Sequence, residues 1–297
     1  MFAELKNEAA LVFTLRNEGP LLINSGEAAK IHPRPDMSFV RTLHDGVETV
    51  YLPGSSIKGV FRSRYEQVMR MLGQNVCDTF DKKGNKKLKT CHNNIDAAEK
   101  DRRSAAKRNG DEYKPLSGTD IYNNHCCEAC RLFGNLSLGG RISFADAYPV
   151  GAWKVGMRHG VGIDRITGAA FPGALYDIET LEKGTFAVIC KMVNFKPYQL
   201  RTILWIIQDI NDGMVTFGMG GSRGNGQMRL DGDVELTYRK YPGKECFFDT
   251  TLLGGTETDL LFGTEIKKSW SPTEISEALN ISTRDKLIQE IAREAVK

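Results

Sequence analysis

The chain has 297 residues, more than one average domain and fewer than two full ones. A hydrophobic fraction of 41%, with 14 Phe and 9 Tyr, suffices for a sizeable core and excludes wholesale disorder. The formal net charge of +3 excludes a strongly basic or acidic protein, but 81–114 holds eleven Lys or Arg against six Asp or Glu. Basic character is therefore local, as either a polyanion contact or a solvated loop.

In chain order, 1–8 mixes charged and apolar residues without a secretory pattern. The apolar runs 10–15 and 21–23 predict strands on either side of the turn Asn17-Glu18-Gly19-Pro20. Prolines 33 and 35 make 27–45 loop-like, and 47–52 reads as a strand ending at Pro53. A helix is predicted from Ser56, because Ile57, Val60, Phe61, Tyr65, Val68, Met69 and Leu72 recur at helical spacing and Gly73 stops it. Ser55 or Ser56 is the expected cap. Segment 74–121 lacks apolar periodicity and reads as an irregular insert. A strand is expected at 140–147, a glycine-rich hairpin or flap at 155–176, and a strand at 185–195. The segment 197–211, with Pro at its start, predicts a helix with Leu200, Ile203, Leu204, Ile207 and Ile210 on one face. Strands at 215–217 and 227–238 flank a glycine loop. The tail carries the capping box Ser271-Pro-Thr-Glu274 and a last helix from about Thr283.

The order strand, strand, helix, strands, helix, strand predicts an α+β, ferredoxin-like (RRM-like) core with insertions. The expected division is a core over 1–240, a zinc-binding insertion at 74–135, the flap, and a carboxy-terminal extension at 241–297. No apolar run reaches membrane-spanning length, so a cytoplasmic chain with no membrane partner is expected.

Seven cysteines in such a compartment argue against a disulfide framework, and five fall between Cys77 and Cys130. Cys127-x-x-Cys130 has chelate spacing, and a coreless insert needs a staple. A structural zinc on Cys77, Cys91, Cys127 and Cys130 is predicted, with Cys126, His92 and His125 as alternates. Cys190 and Cys246 are expected in the core.

The stretch Tyr51-Leu-Pro-Gly-Ser-Ser-Ile-Lys-Gly-Val-Phe-Arg-Ser-Arg64 breaks a strand and opens a helix. Exposed amides, the hydroxyls of Ser55 and Ser56, and Lys58, Arg62 and Arg64 make an anion site there. An ordinary capped helix with a solvated basic face has the same residues. The loop Gly218-Met-Gly-Gly-Ser-Arg-Gly-Asn-Gly226 is neither a P-loop nor a dinucleotide fingerprint. Gly220, Gly221 and Arg223 suit close approach to a phosphate, or a plain hairpin loop.

The 51–64 stretch resembles the Pro-Gly-Ser-Ser-x-Lys-Gly-x-x-Arg signature of the repeat-associated RNA-binding (RAMP) superfamily, which builds CRISPR effector complexes. Cys127-Glu-Ala-Cys-Arg-Leu-Phe-Gly134, Gly140-Arg-Ile-Ser-Phe-Ala-Asp-Ala147, Gly162-Ile-Asp-Arg-Ile-Thr-Gly-Ala-Ala170 and the glycine loop resemble further segments of that family, in its order. The resemblance covers 10–238 and is nearest to type III backbone subunits, which polymerise along a guide RNA. It implies guide RNA and target RNA as ligands. The implied partners are copies of the chain or paralogous backbone subunits and other type III effector subunits. It also implies RNA binding by Arg41 and a catalytic role for Asp36, five residues ahead of it in the loop before the signature, with Mg or Mn assisting RNA cleavage. The flap, with Arg158, His159 and Arg165 at the RNA and Met157, Ile163 and Ile166 as wedges, is expected to kink the guide–target duplex. Two alternatives remain: a non-cleaving structural subunit, and a stand-alone guide-processing endoribonuclease using His32 or His159.

Overall fold

In the computed structural model, which describes residues 4–26, 35–78, 90–241, 255–278 and 289, alternating side chains set the central strand. In β1 (Asn7–Asn17), Ala9, Leu11, Phe13 and Leu15 face the same way and are buried, as period 2 requires of a strand with one covered face. A small hairpin, β2 (Arg41–His44) and β3 (Val47–Val50), turns at Asp45-Gly46, both with positive φ. Helix α1 (Gly54–Met71) follows, then α2 (Cys91–Asn109). The short turn α3 (Gly118–Asp120) runs into a π-helical turn, Ile121–His125, and α4 (Glu128–Phe133). Strand β4 (Ile142–Phe144) precedes the long hairpin β5 (Lys154–Ile163) and β6 (Ala170–Lys183). Then come β7 (Thr185–Val193), α5 (Pro197–Asn211), β8 (Met228–Leu230) and β9 (Val234–Lys240). Last are the hairpin β10 (Thr256–Leu260) and β11 (Gly263–Trp270), and α6 (Pro272–Ala278).

The main sheet runs β10-β11-β9-β1-β7-β4, with β8 also paired to β1, and every pairing is antiparallel. The register Leu11↔Cys190 and Leu11↔Leu236 puts buried side chains of three strands in one row. Ile57, Phe61 and Tyr65 of α1 and Ile203, Ile206, Ile207 and Ile210 of α5 close the core over that face. The architecture is mixed α+β, and the inner order β9-β1-β7-β4 is compatible with a ferredoxin-like arrangement. No helix among the described residues is long and apolar enough to cross a membrane.

Several expectations are corrected. Segment 21–23 makes only a bridge, Leu21 to Leu181 of β6, while Leu22 O and Ile23 O accept from Met219 and Val40, which lie in loops. The loop reading of 27–45 misses β2, although Asp45-Gly46 is a hairpin signal. Helix α1 starts at Gly54 with Pro53 as N-cap, and neither Ser55 nor Ser56 caps it. The supposedly irregular insert contains the 19-residue α2. Its apolar periodicity is missing because only Cys91 and Ile95 are buried. Thr90 accepts from the Asn93 amide at one end, and Gly110 takes a left-handed φ at the other. The tail hairpin β10–β11 was not anticipated. The 271–274 capping box is present, with Ser271 N donating to Glu274 at 2.7 Å. Cys190 is buried in the core. His32, Cys246 and the helix from Thr283 lie outside the described residues.

Candidate nucleic-acid interface

One group of candidate residues gathers where the 35–40 loop crosses the base of the flap. Met37 inserts between two residues of β6, its N–H donating to Asp177 O at 3.3 Å and its O accepting from Glu179 N at 2.9 Å. This docking brings Asp36 Oδ2 to 2.8 Å from the Asp177 amide, which donates to it. Arg41 donates from both terminal nitrogens to Glu179, at 2.7 and 2.6 Å. That bidentate bond raises the Arg41 pKa and holds Glu179 below the usual carboxylate range. Across the flap, His159 Nδ1 and Asp177 Oδ1 are 2.6 Å apart. Arg158 pairs with Glu182 at 3.1 Å. The flap surface also exposes Met157, Ile163 and Ile166, the last 95% exposed at the tip beside Arg165.

The glycine loop reaches the same region. Arg223 donates to the Tyr176 hydroxyl at 3.2 Å, and Met219 N to Leu22 O at 2.8 Å. Close packing explains the glycines at its ends. A Cβ at Gly218 would sit 2.1 Å from Leu22 O, and one at Gly226 2.0 Å from Phe217 O. Gly220 and Gly221 are likewise crowded, by Asn225 and Thr216.

A second group surrounds α1. Asp146 Oδ1 accepts from Gly54 N at 2.7 Å, so a carboxylate from the 140–147 segment occupies part of the helix start. The Ser55 and Ser56 hydroxyls do not cap the helix. Lys58 has no ion-pair partner among the described residues. Burial, then the charge of Arg62, lowers its pKa. Arg62 itself is engaged: it donates to Glu66 Oε1 at 2.8 Å, Gly134 O at 3.0 Å and Cys130 Sγ at 3.6 Å. Arg64 donates to Asp209 Oδ2 at 2.9 Å.

Beside Arg62, the ligand atoms of Cys77, Cys91, Cys127 and Cys130 all lie within 4.8 Å of one another. Zinc on four thiolates, with Zn–S near 2.3 Å, separates the sulfurs by about 3.8 Å, so a small contraction would seat the ion. The shared protons of this cluster pull the Cys127 thiol well below its usual range, first through Cys130 and then Cys77. Its amide donates to Cys91 Sγ at 3.1 Å, and N–H bonds of this kind support thiolates. Cys126 instead accepts from Asn135, and His92 pairs with Ser137.

Sequence reasoning missed Asp146, Tyr176, Asp177 and Glu179. The available signal for Asp177 was the flap hairpin itself, since its register sets which residue opposes His159. A protein-family model described as RAMPs, the RAMP superfamily, matches residues 14–229. No curated protein matches the chain.

Proposed function

The chain belongs to the RAMP superfamily, and from that premise we propose that it is a guide-RNA-binding backbone subunit of a type III CRISPR ribonucleoprotein that cleaves complementary target RNA. Family membership implies a CRISPR-associated, RNA-binding protein. The subunit type and the cleavage are the proposal. The observation that carries it is the meeting of three segments: the Asp36 loop, the flap and the glycine loop. A carboxylate held beside a hairpin that distorts a duplex can orient one ribose-phosphate for attack, and proximity supplies much of the acceleration.

In this reading the core is ferredoxin-like and the guide backbone lies along Lys58, Ser55, Ser56 and the Arg223 loop. The flap presents Arg165 and Ile166 to the duplex, a Mg or Mn ion assists at Asp36, and zinc fills the cysteine cluster. The assembly is cytoplasmic, with further backbone subunits along the guide. The test is a labelled target RNA incubated with the assembled complex and divalent metal. Asp36→Ala is expected to abolish the cut made by this subunit while target binding persists. A wild-type fragment pattern at the wild-type rate would favour the non-cleaving structural subunit.

A further inference from the structure

The flap carries an ionisable pair that the Asp36 reading leaves unused. His159 on β5 and Asp177 on β6 are directly opposed cross-strand partners. Asp177 serves two neighbours at once. Its carboxylate holds His159 Nδ1 at 2.6 Å, and its amide donates to Asp36 Oδ2 at 2.8 Å. An ionised carboxylate only accepts, so Nδ1 carries the hydrogen and a neutral ring keeps its lone pair on Nε2. The imidazole is 71% exposed, so Nε2 is open to a large substrate. An oriented histidine beside a second carboxylate has the form of a base, its orienter and a substrate-positioning group.

The backbone around the pair is equally determined. A Cβ at Gly160 would meet the Tyr176 ring at 2.2 Å, so that ring lies across the strand next to His159. The Tyr176 hydroxyl in turn accepts from Arg223 of the glycine loop. Successive side chains of a strand alternate faces, so the Tyr176–Arg223 contact lies on the hairpin face opposite the dyad and leaves the dyad's own face open.

We infer that His159 is the proton-transfer base of RNA cleavage at this site, with Asp177 as its positioning residue and a ribose 2′-hydroxyl as the group it deprotonates. This rests on the reading of Asp36 as the residue that aligns the scissile nucleotide. Nε2 takes the 2′-hydroxyl proton as O2′ forms a bond to the adjacent phosphorus. The bond from phosphorus to O5′ breaks, and O5′ leaves with a proton from solvent. The imidazolium returns its own proton to solvent, so no further reactant is needed. The products are a 2′,3′-cyclic phosphate and a 5′-hydroxyl.

The experiment uses the assembled ribonucleoprotein, a labelled target RNA, and the variants His159→Ala, Asp177→Asn and Asp36→Ala, with and without added imidazole. Loss of a general base is expected to slow His159→Ala about 10²–10⁴-fold with target affinity unchanged. Imidazole should restore part of that rate in His159→Ala and none in Asp36→Ala. Asp177→Asn should lower kcat without raising KM, because it disturbs the ring's tautomer rather than binding. Wild-type rates in His159→Ala and Asp177→Asn, with Asp36→Ala inactive, would overturn the dyad and leave the Asp36 reading standing. A slow His159→Ala that binds target weakly and ignores imidazole would make His159 an RNA contact and also overturn it. An active Asp36→Ala would remove the Asp36 reading, on which the dyad rests. Products lacking a cyclic phosphate would overturn the stated step.

Discussion

Lys58 and Arg62 stand one turn apart on α1 and end in different surroundings. Lys58 keeps its ammonium free of carboxylates among the described residues, whereas Arg62 spends its donors on Glu66, Gly134 and Cys130. A phosphate contact carries no base information, so Lys58→Ala should weaken RNA binding for all sequences alike. It should also reduce the salt slope by about 0.7, the single-strand value for one phosphate. Arg62→Gln should leave that slope in place and instead speed zinc loss to a chromophoric chelator. Equal slope changes for both variants would return Arg62 to the RNA. The Arg41–Glu179 pair makes a pH prediction of definite sign. Arg41 depresses the Glu179 pKa in the folded chain, so its stabilisation is present above the unfolded glutamate value of about 4.3 and fades as pH falls toward the lower folded value. The protection factors of the Met37 and Glu179 amides, taken against the intrinsic rate at each pH, should fall across that acid range, and Glu179→Gln should flatten the dependence.

At the scale of elements, the cysteine insert is the part with the least core of its own. Its buried cluster consists of Cys91, Ile95, Tyr122, Cys126, Cys130 and Leu138, and half of these are cysteines. Helix α2 buries only its first residue, Cys91, and Ile95 one turn on. A metal that joins Cys77, Cys91, Cys127 and Cys130 therefore ties the helix start to α4 and to the end of α1. Freshly reduced protein should contain about one zinc per chain by elemental analysis, as a single four-thiolate site requires. Cys127→Ser or chelation should raise hydrogen exchange across 91–138 while β1 and β7 stay protected. Protein lacking zinc from the outset, with the insert equally protected, would refute the metal. The flap is the opposite kind of element. It is held by its ladder and by the 35–40 loop, and much of its apolar surface faces solvent, which suits an element that acts on a ligand.

Across the whole molecule, periodic burial made the main elements legible. Strand β1, helix α1 and helix α5 announce themselves because each commits one face to a single core, and that commitment is written locally as period 2 or 3.6, whereas the flap is legible from its glycines. The signature stretch, the paired cysteines and the glycine loop were legible as chemistry for the same reason: their residue types and spacing are local. The remainder required the fold. Helix α2 and hairpin β10–β11 were missed, since a mostly exposed element leaves little apolar pattern, and β11 gains its place through pairing with β9. The meeting of Cys77 and Cys91 with Cys127 and Cys130 depends on chain path, as does the capping of Gly54 by Asp146. So the sequence alone determined the helix and strand types that fill the core, the cysteine set and the RNA-binding family resemblance. Only the tertiary structure decided that Arg62 turns to the cysteines rather than outward, and that Asp36, Asp177 and His159 form one connected group. Hydrogen bonds such as Asp36 to Asp177, 141 positions apart, are made by surfaces brought together in folding, and no local pattern encodes them.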